Sequence, residues 1–100
     1  MKLLDTISSN TVGASFVNQR LERGHGECMF SFYAWGTLGG GTIILWVSPD
    51  NVNWFKARDI NGAQVTLTVP DVLSVYIRAG NFRAELTGAI GASGVNAMLI

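Results

Sequence analysis

Apolar and polar side chains alternate with a period of two along most of the chain from residue 12 onward. Such alternation predicts β-strands, because successive side chains of a strand point to opposite faces. No segment shows helical spacing over a useful length, so the chain is predicted to be all-β. The predicted strands cover residues 12–20, 27–35, 42–48, 53–60, 64–69, 73–79, 82–87 and 95–100.

Turn-forming residues separate these strands, since proline presets φ, Asp and Asn accept backbone hydrogen bonds, and Asn-Gly favours tight hairpins. The turns fall at Gly39–Gly41, Pro49–Asn51, Asn61–Gly62, Pro70–Asp71 and Gly80–Asn81. A turn roughly every eight to twelve residues is typical of antiparallel sandwiches and barrels. We expect an antiparallel β-sandwich, jelly-roll-like or immunoglobulin-like, of about seven to eight strands.

The strand over residues 27–35 carries bulky side chains on both faces. One predicted face holds Cys28, Phe30, Phe32 and Ala34, and the other holds Met29, Ser31, Tyr33 and Trp35. A strand that is apolar on only one side lies with that side on the core and the other in solvent. This strand is therefore expected to be central, or to face a partner on its second side.

The chain of 100 residues is long enough for one domain and too short for two. Residues 1–11 are predicted to form an N-terminal arm, and residues 12–100 a single sandwich domain. Leu3, Leu4 and Ile7 could line one helical face, but a helix of one or two turns is marginal in isolation. Docking of the arm on a neighbouring molecule is at least as good an interpretation.

The composition favours association. Apolar residues make up 48% of the chain and charged residues only 14%, and seven basic residues balance seven acidic ones. Soluble domains carry about 25% charged residues, and a protein with little net charge lacks the self-repulsion that keeps molecules apart. We expect a subunit of something larger, with a homo-oligomer as one form of it.

The sequence gives no sign of membrane insertion or secretion. The apolar start of the chain ends at Asp5, before a signal-peptide core can form, and no run approaches the ~20 apolar residues of a membrane span. Cys28 is the sole cysteine, which excludes an internal disulfide. Neither a membrane nor an oxidising compartment is therefore expected.

No catalytic or metal-binding constellation is evident. His25 and Cys28 are the one candidate nucleophilic pair, but a cysteine in an apolar strand is expected to be buried and inert. The carboxylates mostly fall at predicted turns and strand ends, where they commonly cap backbone groups: Asp5, Glu22, Glu27, Asp50, Asp59, Asp71 and Glu85. We predict no enzyme, and no catalytic, cofactor-binding or metal-binding residue.

Ligand-binding surfaces are also weakly indicated. The glycine-rich stretches 36–41 and 88–94 lack a lysine and lead into strands, unlike phosphate-binding loops. Basic residues are dispersed, so no nucleic-acid partner is expected. Four aromatic residues could form a stacking platform for a sugar, although core or interface positions are the commoner use: Tyr33, Trp35, Trp46 and Trp54. A carbohydrate-binding module, or a tail- or fibre-associated adhesion subunit, stays as the alternative function.

The segment Ser48-Pro49-Asp50-Asn51-Val52-Asn53-Trp54 resembles the Asp-box hairpin of sialidase-type propellers, Ser-x-Asp-x-Gly-x-Thr-Trp. It lacks the glycine, its tryptophan comes one residue early, and it occurs once where a propeller repeats it. The turn is structural in that family, so the resemblance implies a hairpin and no sialidase activity.

A longer pattern runs from Trp35 through the glycine turn and Ser48-Pro49-Asp50 to Trp54. It continues in two further segments, residues 76–79 and 88–93. It resembles small β-sandwich virion proteins of tailed bacteriophages, of the head-decoration (cement) or fibre-associated type. The resemblance covers residues 27–100 and transfers no functional residue, because such proteins act through surfaces. It implies a non-enzymatic capsid decoration subunit, assembled in the host cytoplasm, with capsid or other virion proteins as partners.

Overall fold

The computed structural model describes residues 2–17, 27–59, 61–78 and 80–100, with the backbone alone at 27–29 and 76–78. Its ten strands are β1 (Lys2–Ile7), β2 (Thr11–Val12), β3 (Phe16–Val17), β4 (Glu27–Thr37), β5 (Thr42–Ser48), β6 (Phe55–Lys56), β7 (Thr66–Leu67), β8 (Asp71–Arg78), β9 (Asn81–Thr87) and β10 (Ser93–Leu99). The described residues contain no helix, which confirms the predicted all-β class.

The strands form two antiparallel sheets. Sheet A has the order β1-β10-β4-β8. In sheet B, β9 and β5 are central neighbours, with β2 and β3 along the other side of β9 and with β6 and β7 along the other side of β5. The predicted antiparallel sandwich is confirmed. The described residues form ten strands rather than about seven to eight, because the strand predicted over 12–20 is split into β2 and β3 and the predicted arm contains β1.

The core lies between the two sheets, where the inward residues of each strand meet. Phe30 and Phe32 of β4 are buried, as are Leu45 of β5 and Phe82 of β9. The rings of Phe30 and Phe82 contact edge to face, with centroids 6.0 Å apart, and so join sheet A to sheet B. The apolar positions of period two are therefore the ones that fill the sandwich.

Three predicted strands are shorter in the structure because the chain leaves the sheet, and one of them, predicted over 64–69, is reduced to β7. The strand predicted over 12–20 is represented by β2 and β3, which a break at residues 13–15 separates, and residues 18–20 lie outside the described part. The strand predicted over 53–60 is reduced to β6. Beyond it the chain makes a hairpin in which Arg58 pairs with Gln64 around the predicted Asn61-Gly62 turn.

The predicted arm over 1–11 contains a strand of the sandwich. Residues 2–7 are β1, at one edge of sheet A beside β10, and both Leu3 and Leu4 are only 3% exposed. A register shift between Lys2 and Leu4 lets two consecutive leucines reach the core. Gly13 of the neighbouring edge approaches so closely that a Cβ there would lie 2.2 Å from the Leu3 carbonyl oxygen. Burial of the two leucines removes their apolar surface from water and so stabilises this segment in the sheet.

Candidate interaction surface

The side of sheet A that faces away from the core presents a group of apolar residues. One row crosses all four strands at the same level, from Lys2 through Met98 and Tyr33 to Val72. Trp35 and Ile100 flank the row on the same side, because they stand two positions from Tyr33 and Met98 along their chains. We call these six residues the outer apolar face.

The outer apolar face is exposed in the isolated chain. Tyr33, Trp35 and Val72 are 39%, 41% and 45% exposed, and Ile100 is 51% exposed. Scattered apolar residues are normal on protein surfaces, but contiguous apolar patches mark interaction sites. The inward neighbours Phe32 and Ala34 are buried, so the bulk on both sides of β4 serves the core on one side and a surface on the other.

Lys2 is the one charged member of the outer apolar face. Its Nζ lies 5.8 Å from the centroid of the Trp35 ring, within cation–π range, and 3.1 Å from Asp5 Oδ1. Hydrogen bonds to Asp5 from Lys2 and from the Thr6 hydroxyl lower the pKa of the Asp5 carboxyl. The positive charge therefore lies at the edge of the patch, paired with a carboxylate, and leaves the centre of the face uncharged.

The tryptophans Trp46 and Trp54 lie with sheet B, where each ring engages a cation. The Arg83 guanidinium is 4.1 Å from the centroid of Trp54, and Lys56 Nζ is 5.8 Å from the centroid of Trp46. The indole N–H of Trp46 also donates to Glu85 Oε1 at 3.1 Å. Tyr33 and Trp35 belong to the other sheet, so the four aromatic residues do not form a single stacking platform.

The described carboxylate side chains engage local partners. Asp59 Oδ1 accepts the N–H groups of Asn61 and Ala63, and Asp71 Oδ1 accepts the N–H of Val72 at 2.8 Å. With Asp5 bound to Lys2 and Glu85 bound to Trp46, these groups act as caps and braces. Each carboxylate whose side chain the structure describes therefore has a hydrogen-bond or ion-pair partner of another residue type.

Asp50 organises the turn between β5 and β6. Its Oδ1 accepts the N–H of Val52 at 2.9 Å and the N–H of Asn53 at 2.8 Å, and the Ser48 hydroxyl donates to it at 3.1 Å. The Asn53 N–H, the Val52 N–H and the Asn53 side-chain amide hold the pKa of Asp50 well below its ordinary value. Val47 pairs with Phe55 across this turn, so the hairpin implied by the Asp-box resemblance is present.

Several candidates from the sequence cannot be placed. His25 and Glu22 lie outside the described residues, and of Cys28 the structure describes only the backbone, which pairs with Ile77. Within the described ranges, no group of three or more His, Cys, Asp or Glu side chains could hold a metal ion. Nor does that part of the chain contain a helix long and apolar enough to cross a membrane.

Sequence reasoning missed most members of the outer apolar face. Tyr33 and Trp35 were candidates, but Lys2, Val72 and Met98 reach the same patch only through the strand order of sheet A. The available signal was the outward position of apolar residues in alternating strands. That signal states which side of a strand is apolar, and it does not state which strands are neighbours.

Comparison of the chain with protein-family profiles, with curated protein sequences and with solved structures finds no significant match.

Proposed function

We propose that this protein is a non-enzymatic structural subunit of a phage virion, a capsid decoration protein that stabilises the shell through protein–protein contacts. The observation that supports the proposal is the outer apolar face, a contiguous exposed surface on a chain with few charges. The phage assignment itself rests on the sequence resemblance to small virion sandwiches. The homo-oligomer, the capsid partners and the virion location belong to the same proposal.

The size of the outer apolar face suits part of an interface. Its six outward positions, each about 4.8 Å across the strands and about 6.7 Å along them, cover about 200 Å². A standard interface covers about 800 Å² on each partner. The face is thus large enough to anchor a contact and requires further surface around it, which repeated neighbours on a symmetric shell supply.

Most of the binding free energy of this contact is expected to come from Tyr33 and Trp35. Tyr33 and Trp35 are of the residue types that dominate binding energy when an interface buries them in a water-excluded centre. Truncation of such a residue costs about 2 kcal/mol or more, which is roughly a 30-fold loss of affinity. Trp35 also packs against Lys2, so the ring is held in place before binding and loses less freedom on association.

The location is tested by quantitative mass spectrometry of gradient-purified particles from the phage that encodes the chain. Dozens of copies per particle, in the head fraction, are expected of a decoration subunit. Complete particles without the protein, or with only a few copies, contradict the proposal.

The surface is tested by adding purified protein back to particles that have been stripped of it. Trp35→Ala should weaken attachment about 30-fold. Ile90→Ala is the matched control, since Ile90 is also apolar and 88% exposed but lies in the turn between β9 and β10. Equal attachment of the two variants would show that the outer apolar face is not the contact.

Carbohydrate binding by an adhesion subunit is the second candidate, and one observation favours it. Tyr33 and Trp35 present two half-exposed rings on one face, about 7 Å apart along β4, which is a spacing that suits stacking on successive sugar rings. A glycan array with wild-type protein and Trp35→Ala tests this candidate. Binding that is lost in the variant supports it, and the absence of binding to any glycan removes it.

A further inference from the structure

The side of β8 that faces away from β4, along which no described strand pairs, has a hydrogen-bonding pattern that the ladder of sheet A determines. The backbone N–H of Ser31 donates to the Ile100 carbonyl at 2.8 Å, and the Ser31 carbonyl accepts the Ile100 N–H at 3.0 Å. The backbone polar groups of Ser31 therefore point toward the β10 side of the strand. Residue pairs in an antiparallel ladder alternate between hydrogen-bonded and non-hydrogen-bonded. The backbone groups of Phe30 and Phe32 therefore point the other way, toward Val75 and Leu73 of β8. The backbone groups of the intervening residues in β8 point away from β4, at Val72, Ser74, Tyr76 and Arg78.

The other sheet edges are interrupted, whereas β8 is regular. Strand β1 has two register shifts and begins with Lys2, and both edges of sheet B consist of two-residue strands. Strand β8 keeps continuous register over eight residues, and no described strand pairs with its outer side. Natural proteins usually protect a long edge strand with bulges, charges or proline. Because residues 72–77 of β8 have none of these, it is the edge that can best accept another strand.

The residues of β8 also favour a paired strand. The six residues 72–77 include no charge, no proline and no glycine, and they are rich in β-branched and aromatic types. The charges lie at the ends, with Asp71 at the start and Arg78 at the finish. One outward donor is already engaged, because the Val72 N–H donates to the Asp71 carboxylate. The outward backbone groups that no described residue pairs with therefore lie toward the middle and end of the strand.

We propose that β8 pairs antiparallel with β8 of a second copy of this chain, about a two-fold axis near Val75. Ser74 of each copy then bonds Tyr76 of the other, and the Asp71 end of each strand lies beside the oppositely charged Arg78 end. A parallel arrangement would place like charges together. The β8 strand of a second copy therefore has the charge pattern that complements this edge. A symmetric dimer contains each of these contacts twice.

The dimer extends the outer apolar face. An axis perpendicular to the sheet keeps the two outer faces on the same side, so sheet A continues into a sheet of eight strands. The combined apolar face covers about 400 Å², half the area of one side of a standard interface. This consequence rests on the proposed function, whereas the pairing of β8 does not.

The pairing is tested by sedimentation equilibrium and light scattering on the full chain. Ser74→Pro removes an N–H that points away from β4, so the β4–β8 ladder keeps its bonds. We expect this variant to weaken dimerisation roughly 100-fold, while the control Ser74→Thr keeps the N–H and the wild-type dimer. If circular dichroism shows that Ser74→Pro does not fold, the double variant Val72→Lys/Ser74→Lys replaces it, since two lysines guard the edge without altering the backbone.

Hydrogen exchange locates the contact. The amides of Ser74 and Tyr76 should become protected as protein concentration rises. A wild-type chain that stays monomeric at about 1 mM, or a dimer in which these two amides exchange freely at all concentrations, overturns the proposal.

The two proposals fail separately. Trp35→Ala should leave the β8 dimer intact, because Trp35 lies in β4 and its backbone takes no part in the pairing of one β8 strand with another. A wild-type chain that attaches to particles but stays monomeric in solution rejects the β8 pairing alone. A dimer that never attaches to particles rejects the virion function alone.

Discussion

A substitution at Gly36 tests a close backbone contact between β4 and β10 in sheet A. Ser93 pairs with Thr37 and Asn96 pairs with Trp35, so two residues of β10 lie opposite the single residue Gly36. This bulge brings the chains together, and a Cβ on Gly36 would lie 2.2 Å from the Gly94 carbonyl oxygen and 2.9 Å from the Val95 Cα. Gly36 also has φ +108°, which side chains of L-residues rarely adopt.

The expected cost of Gly36→Ala combines two effects. Holding alanine at this φ costs about 1–3 kcal/mol, and moving β10 by about 1 Å to relieve the clash costs about 1–3 kcal/mol more. The matched control is Gly40→Ala in the neighbouring turn, where φ is +75° and no atom lies within 4 Å of the added Cβ. The control carries backbone strain alone, about 1–2 kcal/mol.

Thermal unfolding followed by circular dichroism separates the two variants. For a domain of this size, 1 kcal/mol shifts Tm by about 4–8 °C. Gly40→Ala should therefore lower Tm by roughly 5–15 °C, and Gly36→Ala by roughly 10–45 °C. If Gly36→Ala costs no more than Gly40→Ala, the close approach of Gly36 to the bulge of β10 does not limit stability, and the reasoning fails.

Two further predictions concern the turn and the two faces of β4. The pKa of Asp50 is lower in the folded protein than its ordinary value of 3.8, so its stabilising effect is complete above that value and is lost as the pH falls below it. Urea unfolding between pH 6 and pH 2 should thus show a smaller loss of stability in Asp50→Asn than in the wild type, and parallel curves would contradict this. Phe32→Ala should cost about 3–5 kcal/mol because Phe32 is fully buried, whereas Tyr33→Ala, one position along and half-exposed, should cost less than about 1.5 kcal/mol. Similar unfolding midpoints for the two variants would show that the faces of β4 are not distinguished as described.

The sequence by itself determined the class of fold and the faces of the strands. Strand β5 has the bounds that alternation predicted, and Phe30, Phe32 and Ala34 share one face of β4 as predicted, which the structure shows to be the buried face. The hairpin at Asp50 also follows from its local residues. These features are local, because the period of two and the turn chemistry act between residues close together in the chain.

The tertiary structure alone decided which strands are neighbours. Strand β10 lies between β1 and β4, so Lys2, Met98 and Tyr33 meet although they are far apart in the chain. The same strand order leaves β8 at an edge and separates Trp46 from Trp35. Pairing between distant strands depends on how both faces of each sheet are covered, and alternation within one strand carries no information about its partner. The fold class could therefore be predicted, whereas the composition of the outer apolar face could not.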